Sequence, residues 1–143
     1  MIYTTGYTNK DPHDLASLAG RMGATVVDIR FSPGSRHERW RQPALIALLG
    51  AHYVHVVELG NENYATPSAG IKIHDLEGGI RRILDMTGPL ILLCACEQAA
   101  CCHRTVVAAE LRARGHQVEE LTSWDGLNQM SFEMLFAATE MTR

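Results

Sequence analysis

The chain has 143 residues, 46% of them hydrophobic and 20% charged, with a formal net charge of −3, a length and balance that suit one compact globular domain. The slight acidity argues against a general DNA-coating role, although a local basic patch is compatible with it. The longest apolar run, Leu90 to Cys96, is far short of the roughly 20 residues a membrane-crossing helix needs, and Met1 leads straight into strand-like sequence without a basic and then apolar leader, so neither membrane spanning nor secretion is expected.

Ile2 to Thr5 reads as a short strand, followed by a turn at Thr8, Asn9 and Lys10. Asp11-Pro12 opens a helix: Asp11 can cap free amides, Pro12 suits the first helical position, and Asp14 favours the positive end of the helix dipole. Leu15, Leu18, Ala19 and Met22 form its apolar stripe, and Gly23 is a natural stop. Val26 to Ile29 follows as a buried strand. The segment from Arg30 to Arg41 is a loop at first, because Pro33 and Gly34 break regular structure, and it carries four of the eleven arginines. A short helix is expected over Pro43 to Leu49, ended by Gly50, then a strand over Tyr53 to Val57. Glu58 to Gly70, with Gly60, Asn61, Asn63, Pro67 and Gly70, reads as a long surface loop and a candidate lid. Asp75 to Met86 should be helical despite Gly78 and Gly79. Leu90 to Cys94 is continuously apolar after Gly88-Pro89, as a buried strand should be. A helix over about His103 to Arg114, a strand over Gln117 to Leu121 and a closing helix over Ser131 to Met141 complete the chain.

No repeat, low-complexity tract or polar linker divides the sequence, so residues 1–143 are read as a single domain. Short apolar strands alternating with helices imply an α/β fold: three layers, with a mostly parallel central sheet of about five strands and helices on both faces. In such sheets ligands bind beyond the carboxyl ends of the strands. Four segments meet that edge: Gly6–Asn9, Arg30–Arg36, Glu58–Tyr64 and Cys94–Arg104.

All four cysteines, Cys94, Cys96, Cys101 and Cys102, fall within nine residues. A secreted disulfide framework staples distant segments, so this clustering points instead to a reducing, cytoplasmic setting and to local chemistry. Where the buried strand runs into a helix, Cys102, His103 and Arg104 outline an anion site: free amides, the helix dipole and a guanidinium favour negative charge and would lower the pKa of Cys102. Cys94 and Cys96 read more simply as small apolar strand residues. The spacing does not make the Cys-x5-Arg of cysteine phosphatases, since Gln98 stands where the cysteine would be, and a single compact cluster is a poor match to zinc or iron–sulfur ligation. No metal or other cofactor is expected. A second constellation, Asp28, Arg30, Ser35 and Arg36, offers two guanidinium forks and a hydroxyl for phosphate or carboxylate, or equally a buried Asp28–Arg30 pair beside a solvated loop. Tyr7 and Asn9 belong to the same rim, with turn chemistry as the competing explanation, and Glu58 is placed to move protons.

Taken together, YTTGYTN at Tyr3–Asn9, VVDIRFSPGSR at Val26–Arg36, YVHVVELGN at Tyr53–Asn61 and LLCACEQAACCHR at Leu92–Arg104 resemble the domain-of-unknown-function family numbered 488. The resemblance implies a three-layer α/β domain with Asp28, Arg30, Pro33, Arg36, Glu58, Gly60, Cys102, His103 and Arg104 at motif positions. It implies no particular reaction. This chain departs from the pattern at Tyr7, where the family has histidine, at Val57, where it tends to proline, and at Cys96, where it has glutamate. Either Glu97 takes that glutamate's role through a local shift, or the chemistry of this member differs.

The leading expectation is a cytoplasmic enzyme acting on a small anionic substrate, a nucleotide, modified base or phosphorylated metabolite. Arg30, Arg36 and Arg104 would hold the anion, Cys102 would react, and His103 or Glu58 would move protons. The alternatives are a non-catalytic module that binds nucleotides or single-stranded nucleic acid, and a thiol or metal sensor.

Overall fold

The computed structural model describes residues 1–96 and 102–124. The closing helix expected over Ser131–Met141, together with Glu97 and Cys101, lies outside the described residues.

Five strands, β1 (Ile2–Gly6), β2 (Thr25–Asp28), β3 (Tyr53–His55), β4 (Leu90–Cys94) and β5 (Val118–Leu121), form one sheet in the order β3-β2-β4-β1-β5. Every pairing is parallel, with Ile2 beside Leu90 and Val118, and Val26 beside Tyr53 and Ile91. Parallel neighbours need crossover connections, supplied by α1 (Pro12–Met22), α2 (Gln42–Leu49), α3 (Leu76–Leu84) and α4 (His103–Ala113).

Local sequence starts and stops these helices. Asp11 caps α1 by accepting from the His13 amide at 2.8 Å, and Gly23 ends it in the left-handed conformation at φ 63°. Asp75 caps α3 by accepting from the Gly78 amide at 3.0 Å. Side-chain alternation then sorts the layers. Tyr3, Val26, Tyr53, Ile91 and Leu93 pack one sheet face against Leu15, Leu18, Ala19 and Met22 of α1 and Leu45 and Leu49 of α2. Ile2, Val27, Leu90, Leu92 and Val118 pack the other face against Ile80 and Ile83 of α3 and Val107, Ala108 and Leu111 of α4. The fold is therefore the three-layer α/β arrangement expected, with a sheet that is wholly parallel.

The third strand is shorter than its apolar pattern suggests. β3 stops at His55, and Val57–Leu59 turns into a 3-10 helix that returns the chain toward α3. Gly79, an apparent weakness in α3, is buried because Leu59 packs where its side chain would be. Among the described residues no helix is long and apolar enough to cross a membrane.

The connections from β1 and β2 run outward through α1 and α2 on one face, whereas the connection from β4 runs the other way through α4 on the opposite face. The carboxyl ends of β1, β2 and β4 thus diverge at a topological switch point, the crevice where parallel α/β sheets bind ligands.

Candidate functional site

A cavity of about 320 Å³ opens at this edge. Tyr7 follows β1, Arg30, Phe31, Ser32 and Gly34 follow β2, Asn61, Asn63 and Tyr64 follow β3, and Ala95 and Cys96 follow β4, while Cys102 and His103 begin α4.

Two glycines let these loops meet. Any side chain on Gly6 would run into the carbonyl of Cys96, so the loop after β4 lies directly over the end of β1. Gly60 does the same for the backbone of Phe31. The Tyr7 amide, donating to the Cys94 carbonyl at 3.0 Å, continues the β1–β4 ladder into the site.

Arg30 stands in the cavity wall, yet its charge is already matched. Nε and Nη2 hold the two carboxylate oxygens of Asp28 at 2.8 and 2.7 Å, and Nη1 donates to the Trp40 carbonyl at 2.8 Å and the Tyr7 hydroxyl at 3.3 Å. Asp28 is fully buried and also accepts from the Tyr53 hydroxyl at 2.5 Å. Burial alone would lower the pKa of Arg30, but the bonds to Asp28 raise it above the ordinary arginine value. Burial and Asp28 together push the Tyr53 phenol well up. The guanidinium lies 5.3 Å from the Tyr7 ring centre, and Tyr7 stacks on Trp40 at 4.4 Å. This pair braces an aromatic wall.

Arg104 is committed in the same way. It is 1% exposed, binds Glu120 of β5 through Nε at 2.9 Å and Nη2 at 2.8 Å, and donates from Nη1 to the Cys96 carbonyl at 2.7 Å and to the Cys94 sulfur at 3.0 Å. Glu120 in turn accepts from the Thr4 hydroxyl. Arg104 therefore supports the thiol loop from behind rather than lining the cavity.

Three thiols gather at this edge. Cys94, Cys96 and Cys102 are free, and the sulfurs of Cys94 and Cys102 approach to 2.7 Å. Cys94 and Cys102 are almost wholly buried, whereas Cys96 is half-buried in the cavity wall. Hydrogen bonds from the Cys102 and Cys94 thiols, with Arg104 adding charge, hold the Cys96 pKa down to about 3 against the opposing effect of burial. Burial, reinforced by the Cys102 contact, pushes Cys94 up and keeps it a thiol.

His103 completes the arrangement. Its Nε2 lies 2.8 Å from the Ile29 carbonyl and its Nδ1 3.7 Å from the Cys102 sulfur. A carbonyl only accepts, so in the neutral ring Nε2 carries the proton and Nδ1 faces Cys102 as an acceptor. The sulfurs of Cys94 and Cys102 are closer than the about 3.8 Å that two thiolates on a tetrahedral zinc would keep. Among the described residues no group of three or more His, Cys, Asp or Glu side chains is arranged to hold a metal ion.

Of the residues singled out in the sequence, Tyr7, Arg30, Cys102 and His103 line the cavity together. The others are elsewhere. Arg36 is exposed outside it, so the three arginines do not converge on a single anion pocket. The Ser35 hydroxyl accepts from the His37 amide at 3.1 Å and shapes its own turn. Asn9 is exposed with φ 63° and serves the turn before α1. Glu58 pairs with Arg82 of α3 at 3.0 Å, because the 3-10 turn carries it away from the sheet edge. Asp28 and Arg104 lie behind the wall as charge partners. Phe31, Asn61, Asn63 and above all Cys96 were not singled out as site residues. Cys96 could have been found from its place: two residues beyond the last apolar strand position, it belongs to the carboxyl-edge loop, not to the strand.

Compared with protein-family models, curated proteins and solved structures, the chain has no match in any of the three.

Proposed function

We propose that this protein is a cysteine-dependent enzyme acting on a small anionic, ring-bearing substrate, with Cys96 as the reacting thiolate. The observation that carries the reading is the half-buried Cys96 in the wall of a cavity of about 320 Å³, where the Cys102 and Cys94 thiols lower its pKa and so favour the nucleophilic form. Phe31 and Tyr64 supply faces against which a flat ring can stack. The amino-terminal end of α4, at Cys102 and His103, favours negative charge on the substrate or on an oxyanion as it forms. Nucleotides, modified bases and phosphorylated metabolites all meet that description. Free thiols clustered in one loop support a reducing, cytoplasmic setting. Kinship with family 488 is part of the same proposal, supported by the order of the motif residues along the chain.

The aromatic wall also supports a second reading, a module that binds such ligands without reacting. One experiment separates the two. Alkylation of Cys96 by iodoacetamide should change less than about threefold between pH 5 and pH 8, whereas an ordinary thiol loses about tenfold per unit below its pKa near 8.5. Turnover found in a panel of nucleotides and phosphate esters should vanish in Cys96→Ser with ligand binding retained. Labelling that falls tenfold per pH unit would overturn the thiolate assignment, and turnover that survives Cys96→Ser would overturn the enzymatic one.

A further inference from the structure

The end of β4 and the start of α4 meet at the switch point, and a cysteine stands at each: Cys94 is the last residue of the strand and Cys102 the residue before the helix. Their sulfurs lie 2.7 Å apart, closer than the about 3.5–4.0 Å at which carbon atoms, which are smaller than sulfur, come into contact. Both residues are almost wholly buried, at 1% and 2% exposure, but they face different surroundings. Cys102 lines the cavity, and its sulfur stands 3.7 Å from Nδ1 of His103, the ring nitrogen that the Nε2 bond to the Ile29 carbonyl leaves without a proton. The Cys94 sulfur instead accepts from Nη1 of Arg104 at 3.0 Å. The junction thus holds a sulfur at the cavity wall, an acceptor for its proton, and a second sulfur already in contact with the first.

We propose that Cys94 and Cys102 are a reversible modification site, joined as a disulfide by exchange with a small-molecule disulfide and reopened by an excess of small thiol. Cys102 gives its proton to His103 Nδ1 and attacks one sulfur of the small disulfide. That S–S bond breaks, a mixed disulfide forms on Cys102, and the departing half leaves as a thiol with the proton from His103. The cavity of about 320 Å³ gives the half that stays on Cys102 a place to lie. Cys94 then attacks the Cys102 sulfur, the mixed S–S bond breaks, and the second half leaves as a thiol carrying the Cys94 proton. Two protein thiols are oxidised to one disulfide, and one small disulfide is reduced to two thiols. Arg104, donating to the Cys94 sulfur, favours the negative charge that gathers there as it attacks. Once joined, the pair ties the end of β4 to the start of α4, and Cys102 no longer offers a thiol to the cavity. In a reducing setting a bond of this kind is transient and senses rather than staples. The inference goes beyond the reaction proposed for Cys96 and uses none of its chemistry.

The test uses the full chain, both unaltered and with Cys96→Ser and Cys101→Ser together, which leaves Cys94 and Cys102 alone. Each protein is treated with 2-hydroxyethyl disulfide, denatured in the presence of N-ethylmaleimide, and cleaved after Glu97 without reduction. That cut separates Cys94 and Cys96 from Cys101 and Cys102, and fragmentation of the linked peptides locates the bridge. In the unaltered chain it should join Cys94 to Cys102, with Cys96 and Cys101 outside it. The double variant should lose both thiols, retain no reagent and recover both thiols with dithiothreitol. Its bridge should close at least about tenfold faster in the folded protein than in urea, because the fold holds the two sulfurs together. In Cys94→Ser, with circular dichroism confirming the fold, Cys102 should keep the reagent as a mixed disulfide. A bridge to Cys96 or Cys101 in the folded unaltered chain would overturn the pairing, as would two capped thiols in the double variant or closure no faster than in urea. None of those results alters the pH dependence of Cys96 alkylation, by which the enzymatic reading stands or falls separately.

Discussion

Replacing Asp28 by asparagine keeps the shape of the side chain and removes its charge, which tests whether Arg30 is locked into the wall or free to hold an anion. Asp28 is fully buried and Arg30 is 7% exposed. Both guanidinium contacts to the carboxylate, at 2.8 and 2.7 Å, are charge-assisted. Asparagine can accept only one of them well, so the guanidinium is left buried without a counter-charge. Removing one partner of a buried pair costs about 3–5 kcal/mol, a large part of the about 5–15 kcal/mol that holds a domain folded. At about 2–4 °C per kcal/mol, the melting temperature should fall by roughly 6–20 °C. Urea unfolding followed by the fluorescence of Trp40, whose carbonyl Arg30 holds at 2.8 Å, gives the free energy directly. Adding Arg30→Met removes the orphaned charge and should bring stability back to within about 2 kcal/mol of the parent, the remainder being the unpaired Trp40 carbonyl. If Asp28→Asn loses less than about 1 kcal/mol, the guanidinium has turned into the cavity to find water. Arg30 would then be available to a ligand, against the reading drawn from the structure.

Gly6→Ala forces a methyl group against the Cys96 carbonyl, a backbone atom that no rotamer change can move aside. It should destabilise by about 3 kcal/mol in urea and alter the rate at which Cys96 alkylates. Stability within about 0.5 kcal/mol of the parent would show that the loop does not rest on β1. The phenols of Tyr3 and Tyr53 are both raised by burial, with Glu119 adding to the first and Asp28 to the second. A raised pKa stabilises the fold below the unfolded value, so stability should hold up to about pH 10 and fall as pH rises beyond it, where the unfolded chain releases protons that the folded one retains. Ultraviolet titration should show these two phenols ionising only as the chain unfolds. Two-step ionisation complete before unfolding would refute their burial.

The parts of the site that could be read without coordinates are those set by position along the chain. Tyr7, Arg30, Cys102 and His103 each sit just beyond a strand or at the first turn of a helix, and parallel topology carries all such places to one edge. What each side chain does there depends on partners that local pattern does not show. Glu58 looked like a cleft carboxylate because β3 seemed longer, and the early 3-10 turn gave it to Arg82 instead.

The sequence by itself determined the elements and their layering, since continuous apolar runs, capping residues and left-handed glycines act over a few residues at a time. The limits of β4, Leu90 to Cys94, and the start and stop of α1 at Asp11 and Gly23 follow from that local chemistry. Only the tertiary structure decided where charge is available. Arg104 and Glu120 meet because β5 pairs with β1, and Arg30 is committed because Asp28, two residues earlier on β2, is sealed from water by Tyr53 of the neighbouring strand. Cys96 is placed in the cavity wall because its carbonyl rests on Gly6, ninety residues away in the chain, and is held there by Arg104. Electrostatic compensation and close packing are sums over neighbours in space, and those neighbours exist only once the sheet has formed.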